Sequence, residues 1–192
     1  MDNNRTMFGI PDEEFIRDKV PMTKSEVRAI AISKLRLNPT SRVLDIGCGT
    51  GSITVECGLI CNQGEVTAID QKEEAVNITR KNVNKFELNN VNIIEGSAPN
   101  DIPKKNYDSI FLGGGSRHID NIIDFATDHL VPEGVFVANT ILIDSTYKIL
   151  AALEGRFKDI DVAMVQVSKG HKIAGWMMKA NNPIYIISAR LM

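Results

Sequence analysis

The sequence predicts one α/β domain built on a mostly parallel, seven-stranded sheet with helices on both faces. From residue 42 onward, apolar strand-like runs alternate with helical patterns, which is typical of parallel strands joined by crossover helices. The length of 192 residues matches a single domain. We divide the chain into an N-terminal arm (1–22), a leading helix (23–41) and a core (42–192).

The arm and the leading helix are separated by a predicted helix start. Pro11 and Pro21 interrupt the arm, which reads as extended. Thr23 and Glu26 have the spacing of a capping box, so we expect a helix to begin near Lys24 with Thr23 as its N-cap.

Seven strands and four helices are predicted in the core. The last two strands have no helical pattern between them, so we expect them to pair antiparallel at one sheet edge. The segment Ser168–Pro183 that joins them is predicted to be a long loop, and loops of that length are more often functional than idle. The predicted strands are Arg42–Ile46, Glu65–Asp70, Val91–Glu95, Tyr107–Leu112, Gly134–Asn139, Asp161–Val167 and Ile184–Leu191. The predicted helices are Gly51–Ile60, Lys72–Phe86, His118–Leu130 and Ser145–Arg156.

The composition is that of an ordinary globular protein. Hydrophobic residues make up 43% and charged residues 24% of the chain. The net charge of −2 argues against a dedicated nucleic-acid binder. No apolar run is long enough to span a bilayer, and residues 1–15 carry no continuous apolar signal segment. We therefore expect a cytoplasmic protein with neither a membrane nor a nucleic-acid partner.

The three cysteines predict neither a disulfide framework nor a metal site. Cys48, Cys57 and Cys61 are odd in number, and their spacing does not fit a zinc ligand set. Cys57 and Cys61 lie four residues apart on a predicted helix, where we expect them to share a buried face.

The most informative stretch is residues 43–51, VLDIGCGTG, in which an apolar strand ends in a glycine turn and a helix opens. Glycines allow a sharp turn and close approach of a ligand, and a helix N-terminus offers free N–H groups. We therefore expect a nucleotide-like ligand at Gly47, Gly49 and Gly51.

Two cofactor classes compete for this geometry. A dinucleotide fold needs Gly-x-Gly-x-x-Gly, but Ser52 occupies the place of its third glycine. Asp45, two residues before the first glycine, fits poorly beside a pyrophosphate and better near a cationic amino-acid moiety. Asp70, at the end of the next strand, is placed to accept hydrogen bonds from ribose hydroxyls. A nicotinamide enzyme and a glycine turn without a ligand remain alternatives.

On VLDIGCGTG and Asp70, the sequence resembles the class I S-adenosyl-L-methionine-dependent methyltransferases, which have a Rossmann-like fold. The resemblance implies S-adenosyl-L-methionine as cofactor. It also implies that Gly113–Gly115 lie where the methyl-donor sulfur meets a large, flat acceptor, although a simple loop turn is the alternative. The cofactor-binding residues expected from the motifs and the resemblance are Thr23, Asp45, Gly47, Cys48, Gly49, Thr50, Gly51, Asp70, Gln71, Ser97, Ala98 and Gly113.

Two N-terminal stretches indicate which family of methyltransferases the sequence resembles. Residues 9–15, GIPDEEF, and residues 20–28, VPMTKSEVR, resemble the start of the cobalt-precorrin C15-methyltransferases of anaerobic cobalamin synthesis. These decarboxylating enzymes are similar to the C-terminal half of precorrin-6Y C5,15-methyltransferase. The resemblance implies methylation of a precorrin or cobalt-precorrin at C15 with decarboxylation of the ring acetate at C12. It also implies that Thr23 touches the cofactor.

Self-association is expected from the arm and from the same resemblance. The arm carries the apolar residues Met7, Phe8, Ile10 and Phe15, and a short segment cannot build a core of its own. It must dock on its own domain or on a neighbouring copy. The family resemblance implies a homo-oligomer, specifically a tetramer.

The implied substrate is a macrocycle fringed with carboxylates, which suits a mixture of cations and apolar side chains. The expected substrate-binding residues are Arg117, Lys169, Lys172, Trp176 and Lys179, although each charge alone could equally be solvated surface. Methyl transfer from a sulfonium depends mainly on positioning, and the sequence offers no obvious strong base. The candidates for a catalytic contribution are Gly114, His118 and His171, the two histidines as proton donors.

Three rival functions stay open. A nucleic-acid methyltransferase shares the fold, and residues 182–185, NPIY, resemble the Asn-Pro-Pro-Tyr signature of amino-methylating enzymes. That signature follows the fourth strand, however, and here Asn182-Pro183 reads as a turn into the last strand. Another small-molecule methyltransferase and a non-catalytic cofactor-binding subunit are the other two.

Overall fold

The computed structural model describes residues 8–114 and 118–192, and its core is a seven-stranded sheet in the order β3-β2-β1-β4-β5-β9-β6. The strands are β1 (Arg42–Ile46), β2 (Glu65–Asp70), β3 (Val91–Glu95), β4 (Tyr107–Leu112), β5 (Leu130–Thr140), β6 (Phe157–Val165), β7 (Ser168–Lys172), β8 (Trp176–Ala180) and β9 (Ile184–Leu191). The helices are α1 (Ser25–Lys34), α2 (Ser52–Ile60), α3 (Glu73–Lys85), α4 (Ile119–His129) and α5 (Ile143–Leu153), and a 3-10 turn spans Asp12–Glu14.

The sheet confirms the predicted α/β architecture. Strands β1 to β5 pair in parallel, whereas β9 lies antiparallel between β5 and β6. Successive residues of a strand point to opposite faces. Val43 accordingly packs in a cluster with α1 and α2, and Leu44 packs in a cluster with α4 and α5. Both faces of the sheet are therefore covered by helices.

The predicted long loop between the last two sheet strands is wrong. Within Ser168–Pro183, β7 and β8 pair antiparallel as a separate two-stranded sheet. Every residue of this hairpin except Lys169 is exposed. A strand shows alternating apolar and polar residues when one of its faces is buried. Both faces of this hairpin are exposed, so its sequence shows no such alternation and the strands were not predicted.

The predicted helix cap at Thr23 is also wrong. The N-cap position of α1 is Lys24, and no side chain of the cap residue makes a capping hydrogen bond. The Ser25 N–H donates instead to Asp12 Oδ1 at 2.9 Å. The arm supplies the acceptor that the capping box was expected to supply, because the arm folds back over the start of the helix.

Three element boundaries also differ from the prediction. Strand β5 begins at Leu130 and β6 at Phe157, each four residues earlier than expected, and α5 spans Ile143–Leu153 instead of Ser145–Arg156. The early part of β5 includes the exposed Glu133, so no continuous apolar run marks its start.

The arm packs on its own domain. Ile10 and Phe15 are buried against Val55, Val83 and Phe86, which belong to α2, α3 and its end. Phe8 is 55% exposed, and Met7 lies outside the described residues. We expected the arm to dock either on its own domain or on a neighbouring copy, and in the structure it docks on its own domain.

Cys57 and Cys61 share a buried face, as predicted. Both are fully inaccessible and pack with α1, β1 and β2. Burial raises the pKa of the Cys61 thiol to about 11 and raises that of Cys57 well above its usual value. The two thiols therefore stay protonated and act as core side chains. Among residues 8–114 and 118–192, no helix is long and apolar enough to cross a membrane.

Candidate active site

A cavity of about 750 Å³ lies at the carboxyl ends of the parallel strands. Its walls include Asp45 and Ile46 from β1, Asp70 from β2, and Asn139 from β5. The strand order reverses between β1 and β4, and such a switch point is where open α/β sheets bind ligands. The fold therefore places the glycine loop at the centre of the cavity.

The ends of β1, β2 and β4 converge at Gly47. Its N–H donates to the Ile69 carbonyl oxygen at 2.8 Å, and the Gly113 N–H donates to that of Ile46 at 2.8 Å. Gly47 has a φ of +76°, and a Cβ there would lie 2.8 Å from the Gly114 nitrogen. Only glycine fits such a backbone contact in this conformation. The result is a cavity floor made of main chain.

The rest of the glycine loop is held against α3. A Cβ on Gly51 would lie 2.8 Å from Thr79 Cγ2, so this glycine serves the packing of the loop on α3 and does not line the cavity. The Thr79 hydroxyl contacts Cys48 Sγ at 3.4 Å and donates to the Gly49 carbonyl oxygen at 3.0 Å. The Cys48 side chain therefore contacts α3, and the residue also lines the cavity.

Asp70 bridges the loop and the next helix. Its Oδ2 accepts the Gly49 N–H and its Oδ1 accepts the Lys72 N–H, both at 3.0 Å. Each carboxylate oxygen retains a second lone pair. The side chain is fixed at the cavity wall and can still accept two further hydrogen bonds. Gln71, Ser97 and Ala98 line the same end of the cavity.

Asp45 is a fully buried carboxyl beneath the loop. The Thr54 hydroxyl donates to its Oδ2, while its Oδ1 has no hydrogen-bond partner among the described residues. Burial is the main cause that raises the pKa of Asp45 to about 7; the nearby Asp70 charge adds to the rise, and the hydrogen bond from Thr54 opposes it. A cation in the cavity would favour the ionised form. The site is thus electrostatically suited to a positively charged ligand.

The arm supplies a further wall. Val20, Pro21, Met22 and Thr23 all line the cavity. A Cβ on Gly49 would lie 3.1 Å from the Pro21 carbonyl oxygen, so the arm passes directly over the glycine loop. Thr23 therefore lies at the cavity as expected, although it is not the helix cap.

The β7–β8 hairpin rises from the rim of the cavity. Val167 precedes it, Asn181 follows it, and both residues line the cavity. The strand pairing places Lys169 opposite Lys179 and Lys172 opposite Trp176. Cross-strand partners share a face and successive residues alternate between faces. One face therefore carries Lys169, His171, Met177 and Lys179, and we name it the cationic face. The other carries Gly170, Lys172, Trp176 and Met178, and we name it the apolar face.

The cationic face contacts the domain through Lys169. Lys169 Nζ lies 3.0 Å from Glu26 Oε1 on α1. Trp176 and Met178, on the apolar face, are 79% and 65% exposed.

A comparison with protein-family models identifies the family of the chain that contains this cavity. The family model described as a precorrin methyltransferase domain matches residues 13–189. The chain belongs to the precorrin methyltransferase family. This confirms the family resemblance of the N-terminal stretches and makes the chain a methyltransferase, and membership of that family implies S-adenosyl-L-methionine as the cofactor.

Relatives and solved structures agree with the family. A Saccharolobus solfataricus protein named probable cobalt-precorrin-6B C(15)-methyltransferase (decarboxylating) is 45% identical, with 98% of each chain covered. A precorrin-6Y C5,15-methyltransferase structure from Geobacter metallireducens superposes with a TM-score of 0.91 at 34% identity, covering 97% of this chain and 99% of the other. A precorrin-8W decarboxylase structure from Methanobacterium thermoautotrophicum gives 0.87 at 30% identity, covering 94% and 98%.

The predicted residues of this precorrin methyltransferase fall into three groups. Every expected cofactor-binding residue except Gly51 lines the cavity, and so do the catalytic candidates Gly114 and His118. The hairpin residues Lys169, His171, Lys172, Trp176 and Lys179 do not line it. Arg117 and Gly115 lie outside the described residues.

Sequence reasoning missed the β5 side of the cavity. Asn139, Thr140 and Ile141 line it, and both amide atoms of Asn139 are buried without a hydrogen-bond partner among the described residues. A signal existed, because Asn139 ends a predicted strand and the carboxyl ends of parallel strands meet at one edge.

The pKa of Asp45 predicts how the stability of this methyltransferase depends on pH. The folded value of about 7 lies above the unfolded value of about 3.9. The neutral carboxyl therefore contributes stability that is complete below pH 4 and is lost as the pH rises through about 7. Between these limits we expect the wild-type free energy of unfolding to fall by roughly 2–4 kcal/mol more than that of Asp45→Asn. Urea unfolding at a series of pH values measures this, and parallel profiles for the two proteins would contradict it.

Proposed function

We propose that this methyltransferase acts in the cytoplasm, transferring a methyl group from S-adenosyl-L-methionine to C15 of a precorrin or cobalt-precorrin and releasing the C12 acetate carboxyl as CO₂. The observation that carries the proposal is the cavity itself. It runs from the fixed Asp70 carboxylate, past main chain at Gly47, to a β4 end without side chains at Gly113 and Gly114. A nucleoside fits the first end, and a flat acceptor fits the second.

The described residues suit S-adenosyl-L-methionine. Asp70 can accept hydrogen bonds from both ribose hydroxyls. Ser97 and Ala98 line the cavity, and they are the proposed contacts of the adenine. The buried Asp45 favours the cationic amino-acid end, either directly or by shaping the glycine loop. When bound, this cofactor supplies an electrophilic methyl group on a sulfonium.

Methyl transfer requires the chain to orient two reactants. The main chain at Gly113 and Gly114 leaves space for the acceptor carbon to approach in line with the S–methyl bond, and positioning of this kind supplies most of the acceleration. The acceptor carbon of an electron-rich macrocycle is itself the nucleophile, so no general base is needed.

Decarboxylation requires an electron sink. The C–C bond to the acetate carboxyl breaks, its electron pair enters the conjugated macrocycle, and a proton taken up by the macrocycle balances the charge as CO₂ leaves. His118 and Gly114 both line the cavity, and His118 is our candidate for that proton donor. His171 lies on the cationic face of the hairpin and is the second candidate.

The cationic face of the hairpin is the proposed contact for the carboxylate fringe. Lys169 and Lys179 share that face, and Lys169 already pairs with Glu26 near the cavity. Lys172 and Trp176 lie on the opposite face, so a single macrocycle cannot touch all four side chains. Arg117 remains a proposed contact on sequence grounds alone.

The apolar face is the proposed contact between copies. Trp176 and Met178 lie on the face of the hairpin opposite to that of Lys169, and both are largely exposed. Exposed apolar side chains grouped on one face are typical of interaction surfaces. We propose that a second copy of the chain covers them, with a tetramer as the assembly that the family resemblance implies.

The reaction can be tested with methyl-labelled S-adenosyl-L-methionine and cobalt-precorrin-6B. We expect the product to gain one labelled methyl group and lose one CO₂ by mass spectrometry. A Cβ on Gly114 would make only an ordinary contact at 3.8 Å, so Gly114→Ala should fold, bind cofactor and lose turnover by crowding the acceptor. Methyl transfer to tRNA instead would favour the nucleic-acid alternative, and cofactor binding without turnover would favour the non-catalytic one.

Cofactor binding depends on Asp70. We expect Asp70→Ala to weaken S-adenosyl-L-methionine binding at least about tenfold, because two hydrogen bonds to a charged acceptor are lost at roughly 1.5–3 kcal/mol each. Titration calorimetry measures the change, and Asp124→Ala on the exposed side of α4 is the matched control. Equal affinity for Asp70→Ala and wild type would refute the role of Asp70, and binding of NADH in place of this cofactor would refute the class.

Self-association depends on the apolar face. Light scattering at micromolar concentration should give a mass above that of the monomer, and the double variant Trp176→Ser and Met178→Ser should lower it. Met177→Ser, on the cationic face, removes a similar side chain and is the control. A monomeric wild-type protein, or equal dissociation of both variants, would contradict the assignment of this face.

A further inference from the structure

Two side chains that do not line the cavity hold its arm wall in place. Arg28 on α1 and Glu56 on α2 are both completely buried, and Arg28 Nε donates to Glu56 Oε1 at 2.6 Å. Neither residue is needed to join the two helices, because apolar side chains of the same size could pack there. A buried pair of this kind is weak support for stability by itself. Its partners indicate what it does.

The pair binds the start of the arm. Glu56 Oε2 accepts the Gly9 N–H at 2.8 Å, and Oε1 accepts the Ile10 N–H at 3.0 Å. Arg28 Nη2 donates to the Ile10 carbonyl oxygen. The backbone N–H and carbonyl of the buried Ile10, which would otherwise lack partners, are thereby satisfied by two charged side chains, and the start of the arm is fixed in one position.

The same guanidinium binds the end of the arm. Arg28 Nη1 donates to the Thr23 carbonyl oxygen at 2.6 Å, and the guanidinium carbon lies 4.7 Å from the centre of the Phe15 ring. Residues Ile10 and Thr23 are thus attached to one planar group. The arm between them forms a closed loop whose width is set by the guanidinium fork.

The closed loop is also tied to the glycine loop. Asn82 on α3 accepts the Ile16 N–H at 2.8 Å, and its amide nitrogen donates to the carbonyl oxygens of Ile16 at 2.7 Å and Thr50 at 2.8 Å. Pro21 and Thr23 therefore face the cavity from a segment that is attached at its start, middle and end.

We propose that Arg28 and Glu56 are positioning residues of the cofactor site, which hold the arm as its covering wall. The inference rests on the proposed function in taking S-adenosyl-L-methionine as the ligand. Binding couplings are reciprocal, so a ligand that needs the docked arm also stabilises it. Weakening the Arg28–Glu56 pair must therefore lower the affinity for the ligand, and bound ligand must stabilise the docked arm.

The test uses S-adenosylhomocysteine as the probe and two conservative variants, Arg28→Lys and Glu56→Gln. Lysine keeps the charge but cannot reproduce the fork. We expect each variant to bind the probe about tenfold more weakly in calorimetry and to release it faster in stopped-flow measurements. Arg17 and Lys19 are exposed on the arm, so trypsin cleavage there reports undocking. The probe should slow that cleavage in wild type and do so less in the variants.

A matched control separates positioning from general loss of stability. Leu153 is fully buried at the far end of α5 and does not line the cavity, so Leu153→Ala lowers the melting temperature without touching the arm. We expect it to bind the probe within about twofold of wild type. If Arg28→Lys does not fold, Asp12→Asn, which loses the charge that caps α1 and pairs with Arg28, carries the same comparison.

Two results would overturn the inference. Variants whose arm is cleaved faster but which bind the probe like wild type would show that the pair only anchors the arm. Equal weakening in Leu153→Ala would show that any destabilised protein behaves alike. A wild-type protein that binds no S-adenosylhomocysteine would overturn the proposed function as well, which distinguishes that failure from the other two.

Discussion

The backbone contact between Gly47 and Gly114 is the constraint on which the site depends. With a Cβ at position 47 only 2.8 Å from the Gly114 nitrogen, the ends of β1 and β4 could not approach as they do. That approach brings Asp70 at the end of β2 and Gly113 at the end of β4 into one cavity. The strand order reverses between β1 and β4, so the contact between Gly47 and Gly114 lies at the switch point of the sheet. Because neither glycine has a side chain, a ligand can occupy the cavity on both sides of this contact.

Polar groups without partners gather around the same seam. Among the described residues, the buried side-chain atoms without a hydrogen bond are Asp45 Oδ1, Thr50 Oγ1, Thr67 Oγ1 and the Asn139 amide, and all of these residues except Thr67 line the cavity. A buried polar atom without a partner costs the folded state free energy. The remainder of the domain is packed conventionally, with an apolar cluster on each face of the sheet. These unpaired polar atoms therefore lower the stability of the protein at the cavity, where a bound ligand can supply the missing hydrogen-bond partners.

Sequence reasoning reached the parts of the molecule that local pattern controls. Strands β1 to β4, the glycine loop and Asp70 follow from apolar runs and turn residues, and the structure places them as expected. It failed where a distant partner decides the outcome. Thr23 has the spacing of a cap, but Asp12 takes that role because the arm folds back. No role was predicted for Arg28, because its partner Glu56 lies far along the chain and only the fold brings the two together. The β7–β8 hairpin is exposed, so burial imposed no pattern on it.

The arm also imposes an order on the biogenesis of the enzyme. Gly9 is synthesised well before its acceptor Glu56, 47 positions along the chain, and Ile16 before Asn82, 66 positions along. Closing such distances costs chain entropy that nearby contacts do not incur. A nascent chain therefore cannot dock Gly9 and Ile16 before α2 and α3 have been synthesised, so this wall of the cavity forms only after those two helices.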